Sequence, residues 1–360
     1  MTQNPFRRHI DACHNAVLPG DRLPFHLAGV AVGWVRPGFA RHLRACAGMQ
    51  VGTDRVACDS AAALTAAVAA LGRTGVLHPR HEAFDIRATP DGPVLGSIDR
   101  GALAAFGIAA AGVHVNGLVP RADGLHVWVA MRAADKAIDP GKLDHITAGG
   151  IPAGLTPWET LLKEAAEEAA IPAALAAAAR PVGVIEYAME RPEGLRRDRL
   201  YCYDLTLPEN FTPHPADAEV AWFALWPIGR VLATVRDTDD FKFNVNLVLI
   251  DLFVRQAGNA SGVTRKRASH DAPGPHHAST CLARRGLRPR TPPISGSRAR
   301  SLAGSGRAPR LACSGCDRVQ HMIRARNLMV DEVGLDLQRL HHAVIDQHGE
   351  PLRALAQAEA

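Results

Sequence analysis

Apolar and polar residues alternate through several short runs of this chain, and period two is the signature of half-buried strands. "GVHVNGLVP" (112–120) and "LHVWVAMRA" (125–133) predict a strand pair joined by the turn "RADG". "PVGVIEYAME" (181–190) and "RLYCYDLTLP" (199–208) predict a second pair across "RPEGLRRD", and "AEVAWFALWP" (218–227) a further strand. Between the pairs the period lengthens to that of a helix, over "TPWETLLKEAAEEAAIP" (156–172). Thr156-Pro157-Trp158-Glu159 is a capping box with Pro at the first helical position, and Pro172 ends the pattern. "NVNLVLIDLFVRQ" (244–256) predicts a closing helix. Strands around a central helix, with a second helix at the end, predict a mixed α/β sandwich over about 106–257.

Upstream the pattern is smaller in scale. "LPFHLAGVAVGWV" reads as β-type residues around Gly29 and Gly33, and "RPGFARHLRAC" as a short helix after Pro37-Gly38. "SAAALTAAVAALGRTG" predicts a helix capped by Ser60. "EAFDIRA" and "PVLGSID" predict strands around Pro90-Asp91-Gly92. Residues 1–105 are therefore expected to form a small α+β accessory domain.

Downstream the pattern fades. Phe253 is the last aromatic residue of the 360, and 258–320 is an Arg-, Pro-, Ser- and Gly-rich stretch without periodicity, the composition of a disordered segment. Residues 321–360 include leucines at helical spacing and predict an isolated amphipathic helix. Charge divides at the same boundary. Residues 261–320 hold 12 Lys/Arg and 2 Asp/Glu, against 29 and 34 in the rest, so the net +5 belongs to one segment and not to the folded body. That basic tail is the only nucleic-acid signal, and with no aromatics interleaved for base stacking it argues against such a partner. Cys313 and Cys316 form a C-x2-C pair without further ligands at zinc spacing. The seven scattered cysteines argue against a disulfide framework, and no apolar run of membrane length occurs. A cytoplasmic protein with no membrane partner is expected.

The chemistry concentrates in "GGIPAGLTPWETLLKEAAEEAAIP" (149–172). Glu164, Glu167 and Glu168 stand at i, i+3 and i+4, which puts three carboxylates on one helical face. Like charges so placed weaken a helix, and a divalent cation offsets that cost. A hard, oxygen-rich set of this kind suits Mg²⁺ or Mn²⁺, and Mg²⁺ favours substrates with phosphate oxygens. Taken alone, an E-x-x-E-E run is more often a solvated helix face. Its position after a strand and a Gly-Gly loop, and before a strand pair, reverses that weighting.

This order resembles the Nudix hydrolase family, whose box reads G-x5-E-x7-R-E-U-x-E-E-x-G-U with U aliphatic. Gly149, Glu164, Ala165, Glu167, Glu168 and Ile171 fall on it without gaps, while Leu155, Lys163 and Ala170 stand where the family has Glu, Arg and Gly. The resemblance implies a Nudix α/β/α sandwich with a mixed sheet. Glu164, Glu167 and Glu168 would be metal ligands, and Gly149, Gly150, Gly154 and Lys163 would support the loop and helix. "FGIAAAGVHVNGLV", "ADKAIDPGKLDHITAGGIPAGL" and "FKFNVNLVLIDLFVR" narrow it to the subfamily similar to the Nudix region fused to thiamin pyrophosphokinase in fungi, which carries an extra N-terminal domain. That subfamily implies hydrolysis of thiamin diphosphate, or of its oxidised, damaged forms, to the monophosphate. Another diphosphate, such as a nucleoside-diphosphate derivative, and a non-catalytic diphosphate-binding module are the alternatives.

In the implied reaction water attacks phosphorus with metal assistance, and a carboxylate accepts its proton. Glu168, Glu164 and the later Glu219 are the candidate catalytic residues. Arg132, Lys136 and Lys142, just before the box, are candidates for the phosphates, and His114 and Asn116 for the rest of the substrate.

Overall fold

The computed structural model describes residues 4–260. Most of the expected basic segment, all of the expected helix beyond 321, and the Cys313/Cys316 pair lie outside the described residues.

After a seven-residue helix α1 (Arg7–Cys13), the first unit opens with a hairpin of β1 (Leu23–Leu27) and β2 (Val30–Val35). Ala28 and Gly29 turn it, both at positive φ (48° and 83°), the conformation a two-residue hairpin loop demands. Then come α2 (Pro37–Leu43), β3 (Met49–Val51), β4 (Val56–Cys58) and α3 (Ala61–Arg73). The sheet order is β2-β1-β4-β3, with β4 parallel to β1. Ser60 caps α3 by accepting from the Ala63 amide at 3.2 Å, and the helix buries Leu64, Ala67, Val68 and Leu71. A two-stranded ribbon, β5 (Ala83–Ile86) and β6 (Gly96–Asp99), and the one-turn α4 (Leu103–Phe106) complete the unit. Its core centres on Phe25 and Phe106, ring centroids 4.9 Å apart.

The second unit is a mixed sheet between helices. β7 (Ala109–Arg121) runs through its middle, followed by β8 (Gly124–Arg132), β9 (Leu143–Asp144) and β10 (Thr147–Gly150). Next are α5 (Pro157–Ala169), α6 (Ala173–Ala176), β11 (Arg180–Arg191), β12 (Gly194–Thr206), β13 (Val220–Pro227), α7 (Ile228–Asp237) and α8 (Val245–Ala260). The order is β11-β12-β7-β8-β13, with β7 parallel to β12 and its other edge shared by β10 and β8. Alternation along β7 sorts its side chains between two cores. Val113 and Val115 pack with Leu161, Ala165 and Ala169 of α5. Beyond the opposite face, α1, α7 and α8 enclose Val231, Val248 and Phe253. This is the expected α/β/α sandwich with a mixed sheet, preceded by a small α+β unit.

One boundary differs from the expectation. Phe6, Ile10 and Cys13 of α1 belong to the core of the second unit, with Val248 and Phe253, not to that of the first. Arg8 seals the docking by donating to the carbonyls of Val235, Arg236 and Thr238 at the end of α7, and His9 Nε2 lies 2.7 Å from the Val235 carbonyl. The sequence of α1 shows too little periodicity in seven residues to assign it a partner. The units are also joined by charge: Arg22 and Arg36 both pair with Glu190 of β11. Among the described residues no helix is long and apolar enough to cross a membrane.

Candidate active site

The box helix starts as its sequence dictates. Thr156 Oγ1 accepts from the Glu159 amide at 3.2 Å, and Glu159 Oε2 accepts from the Thr156 amide at 2.9 Å. Glu159 is thereby committed to the cap. Lys163 turns instead to the glutamates, 3.3 Å from Glu164 Oε1 and 2.5 Å from Glu167 Oε2. The helix ends at Ala169, one turn before the expected stop at Pro172, because Ala170 adopts the left-handed conformation (φ 52°). The family motif has Gly at this position, and the geometry explains why. Leu155, in place of the motif's first Glu, packs on the apolar cluster beneath α5.

The three glutamates occupy different environments. Glu167 is exposed and held by Lys163. Glu164 is half-buried against the loop: a Cβ on Gly149 would lie 2.4 Å from its Cδ, so any side chain there would push the carboxylate aside. Glu168 is buried, and its Oε2 accepts from Thr147 Oγ1 at 2.8 Å and the Ala148 amide at 2.9 Å. Its Oε1 has no hydrogen-bond partner among the described residues. Burial pushes the Glu168 carboxyl up to about 7; the bonds from Ala148 and Thr147 oppose the shift, and the charges of Glu164 and Asp144 add to it. Burial also raises Glu164. A buried and a half-buried acid, with one oxygen of Glu168 unpaired, fit a divalent ion, which relieves both burial and repulsion.

The loop after β12 closes over the end of α5, where the amides of His214 and Ala216 donate to the carbonyls of Ala169 and Glu168. It brings Glu219 to the site's edge, exposed and paired with Lys136, which itself senses the charge of Glu168.

The other expected phosphate ligands are placed differently. Arg132 does not face a substrate cavity: it donates to Asp144 Oδ2 at 2.8 Å and to the carbonyls of Ile138 and Asp139, tying down the 133–142 loop. Lys142 donates to the Asp239 carbonyl. Asn116 is buried, its Nδ2 donating to Asp204 at 2.8 Å. His114 lies on the face of β7 opposite Val113 and Val115, with its Nδ1 3.0 Å from Nδ1 of His145. His114, Asp144 and His145 present ligand atoms within 4.8 Å of one another. Asp144 is already held by Arg132 and, at 3.5 Å, by Lys242. Despite the cost of burial, Lys242 and Arg132 keep Asp144 well below the usual carboxylate range, while burial lowers His145 to about 4. With two cations on its only carboxylate, this is a closed polar core and not a cation site.

A cavity of about 1070 Å³ opens between the two units. Ala148, Gly149 and Gly150 form part of its wall, with His114, Lys242 and Asn244 from the second unit and Trp34, Phe39 and Phe84 from the first. The three glutamates are not among its lining residues, but Gly149, which packs against Glu164, is. The first unit also braces the Gly149–Gly150 strand. The Phe84 ring lies where a Cβ on Gly150 would fall (2.5 Å), and the Ala153 amide donates to the Ala83 carbonyl at 2.7 Å. No local signal in the sequence marks Phe84, Lys242 or the cavity's arginines, because residues far apart in the chain compose it.

A capped helix bearing buried carboxylates behind a glycine loop, in an α/β/α sandwich, defines a class of enzymes that hydrolyse diphosphate bonds. No family model matches the chain. Curated relatives do. Nudix hydrolase 24, chloroplastic, of Arabidopsis thaliana is 36% identical over 263 residues, covering 69% of this chain and 72% of the relative. Nudix hydrolase 20, chloroplastic, of the same plant is 33% identical over 255 residues, covering 66% and 68%. Among solved structures, DR0079 from Deinococcus radiodurans aligns with a TM-score of 0.38 and 19% identity, over 47% of this chain and 98% of that one. The chain belongs to the Nudix hydrolase family, and it is a hydrolase acting on diphosphate bonds.

Proposed function

We propose that the protein is a divalent-metal-dependent pyrophosphohydrolase that splits a diphosphate attached to an aromatic ring system and releases the monophosphate. The observation that carries this reading is Glu168: a buried carboxylate with one oxygen anchored to Thr147 and Ala148 and the other free.

Glu164 and Glu168 would hold Mg²⁺ or Mn²⁺, with Glu167 released from Lys163 to join them. When bound, the ion supplies neutralisation of the phosphate charge. The chain does the rest. The Gly149–Gly150 strand lets the substrate approach the backbone, and the fixed Thr147 and Ala148 bonds orient Glu168. Of Glu168 and Glu219, Glu168 is the better placed to take the proton of the attacking water. Glu219 is exposed and engaged with Lys136.

Two substrate classes fit. Thiamin diphosphate and its oxidised forms are supported by the sequence resemblance and by an aromatic wall of Trp34, Phe39 and Phe84. Nucleoside-diphosphate derivatives are favoured by charge: eight arginine or lysine residues and three acidic ones line the cavity, a setting that repels a thiazolium cation and attracts an anion. Product release from thiamin diphosphate, its oxidised analogues, ADP-ribose and NADH, with Glu168→Gln as control, tests both. Monophosphate from only the thiamin compounds selects the first class. Turnover of only the nucleotides selects the second. No metal-dependent turnover of any of them overturns the hydrolytic role.

A further inference from the structure

Most cations that line the cavity are already matched. Arg36 pairs with Glu190, Arg100 with Glu82, Arg196 with Asp198, and Lys242 with Asp144. Arg80 and Arg41 line the cavity without an ion pair among the described residues, and of the two Arg80 is the one set beside other guanidiniums, with Glu193 and Glu82 acting on it from beyond ion-pair distance.

Its backbone is nevertheless fixed. The Asp99 carboxylate accepts from the amides of Arg80 at 2.8 Å, His81 at 2.7 Å and Gly101 at 2.7 Å. Gly101 lets the chain close, since a Cβ there would lie 2.1 Å from the His78 carbonyl oxygen. His81 takes a left-handed conformation (φ 59°), so the loop holds a strained shape around an ordered core of hydrogen bonds. A long side chain on so fixed a base loses less entropy on binding. Burial, with the charges of Arg100 and Arg196, pulls the Arg80 guanidinium below its usual range against the opposing charges of Glu193 and Glu82. Crowded cations are unfavourable until an anion joins them, and a dianion answers three neighbouring guanidiniums better than a monoanion does.

We propose that Arg80 binds a second phosphate of the substrate, a phosphate monoester remote from the diphosphate that is cleaved. The accessory unit thereby sets specificity: it selects diphosphates that carry an additional phosphorylated hydroxyl. This rests on the reading of the cavity as the substrate site of a pyrophosphohydrolase. The cavity is large enough for such a molecule, lying at the upper end of the usual range for small-molecule pockets.

The test uses two pairs of diphosphates that differ by one ribose phosphate, NADP⁺ against NAD⁺ and coenzyme A against 3′-dephospho-coenzyme A. Affinities are measured calorimetrically on the full chain without divalent metal, so that no turnover intervenes. The phosphorylated member of at least one pair is expected to bind about tenfold more tightly, the worth of a charge-assisted bond. Arg80→Ala removes that preference, Arg80→Lys keeps part of it, and Arg73→Ala, on the exposed end of α3, leaves it intact. Thermal melting checks that each variant is folded. Equal affinities within both pairs, no binding of any member, or a preference that survives in folded Arg80→Ala overturns the assignment. The same pairs are then assayed with Mg²⁺. Preference without turnover keeps the Arg80 site and removes the hydrolytic reading; turnover without preference does the reverse.

Discussion

The Phe84 ring of the first unit occupies the space that a side chain on Gly150 of the second would need, at 2.5 Å from where its Cβ would lie. The Gly149–Gly150 segment is therefore shaped partly by a residue 66 positions upstream. Gly150→Ala must displace the ring or the loop, and overpacking of this kind costs about 1–3 kcal/mol. The variant is expected to melt lower and lose kcat/KM, and Phe84→Leu added to it should restore part of both. Melting and steady-state kinetics on the single and double variants decide it.

Glu168 bears on stability as well as on the proposed chemistry. In the metal-free folded protein its carboxyl holds a proton up to about pH 7, where an unfolded chain has already released it near 4.5, so its contribution falls as pH rises through that window. His145 acts oppositely. Its folded pKa of about 4 lies below the usual 6.5, so its contribution rises with pH between those values. The two slopes offset each other in the native sequence. Glu168→Gln removes the falling slope and leaves the rising slope of His145 unopposed by it. At pH 8 without metal the variant should be more stable by on the order of 3 kcal/mol, and near pH 4 the gain should vanish. Denaturant melts at both pH values, alongside loss of turnover at pH 8, measure this.

Gly149 and Glu164 form a second dependent pair. A Cβ at Gly149 would lie 2.4 Å from Glu164 Cδ. Gly149→Ala should swing the carboxylate away and weaken Mn²⁺ binding by roughly 10- to 100-fold, as losses of supporting contacts around a metal do. Titration followed by electron paramagnetic resonance reads this directly; unchanged affinity would detach Glu164 from the ion.

Ala170 sits left-handed at φ 52°, a conformation that costs an L-residue about 1 kcal/mol and glycine almost nothing. Ala170→Gly should therefore raise the stability of the folded chain by somewhat less than that, since glycine also adds freedom to the unfolded chain. The expected sign is opposite to that of most glycine substitutions in helical regions, and a denaturant midpoint determines it.

Arg132 is the structural cation of the site. Its pair with Asp144 is buried, and removing Arg132 leaves that carboxylate with Lys242 alone at 3.5 Å, at a cost below the about 3–5 kcal/mol of a buried charge left wholly unpaired. Arg132→Ala should lower stability steeply; a direct phosphate contact would instead raise KM with little change in melting.

What the sequence revealed follows from the range of the forces involved. The capping box of Thr156 and Glu159, the Ser60 cap and the strand alternation of β7 and β8 are local, and they stand where the pattern placed them. The carboxylates of α5 were legible because three of them on one face carry a cost that needs an explanation. Partner choice was not legible. Lys163 faced Glu159 and Glu167 at equal spacing, and the cap claimed Glu159. Arg132 and Lys142 stood close to the box in sequence, yet Asp144 and the Asp239 carbonyl took them. β3, β4 and α4 span only three or four residues, too few to establish a period. The cavity joins residues whose proximity is set by tertiary packing alone.

The docking of α1 on α7 and α8 bears on how the chain matures. Arg8 reaches the carbonyl of Arg236 across 228 positions, and Phe6 rests 6.4 Å from Phe253, ring to ring. On a ribosome adding about 5–20 residues per second, α1 emerges roughly 10–50 s before its partners exist. During that interval the sheet of the first unit has all its strands, while the helix ahead of it must wait with Phe6 and Ile10 unburied. A helix synthesised well before its partners is thus among the last to settle, and a chaperone that binds exposed apolar segments would find its target there.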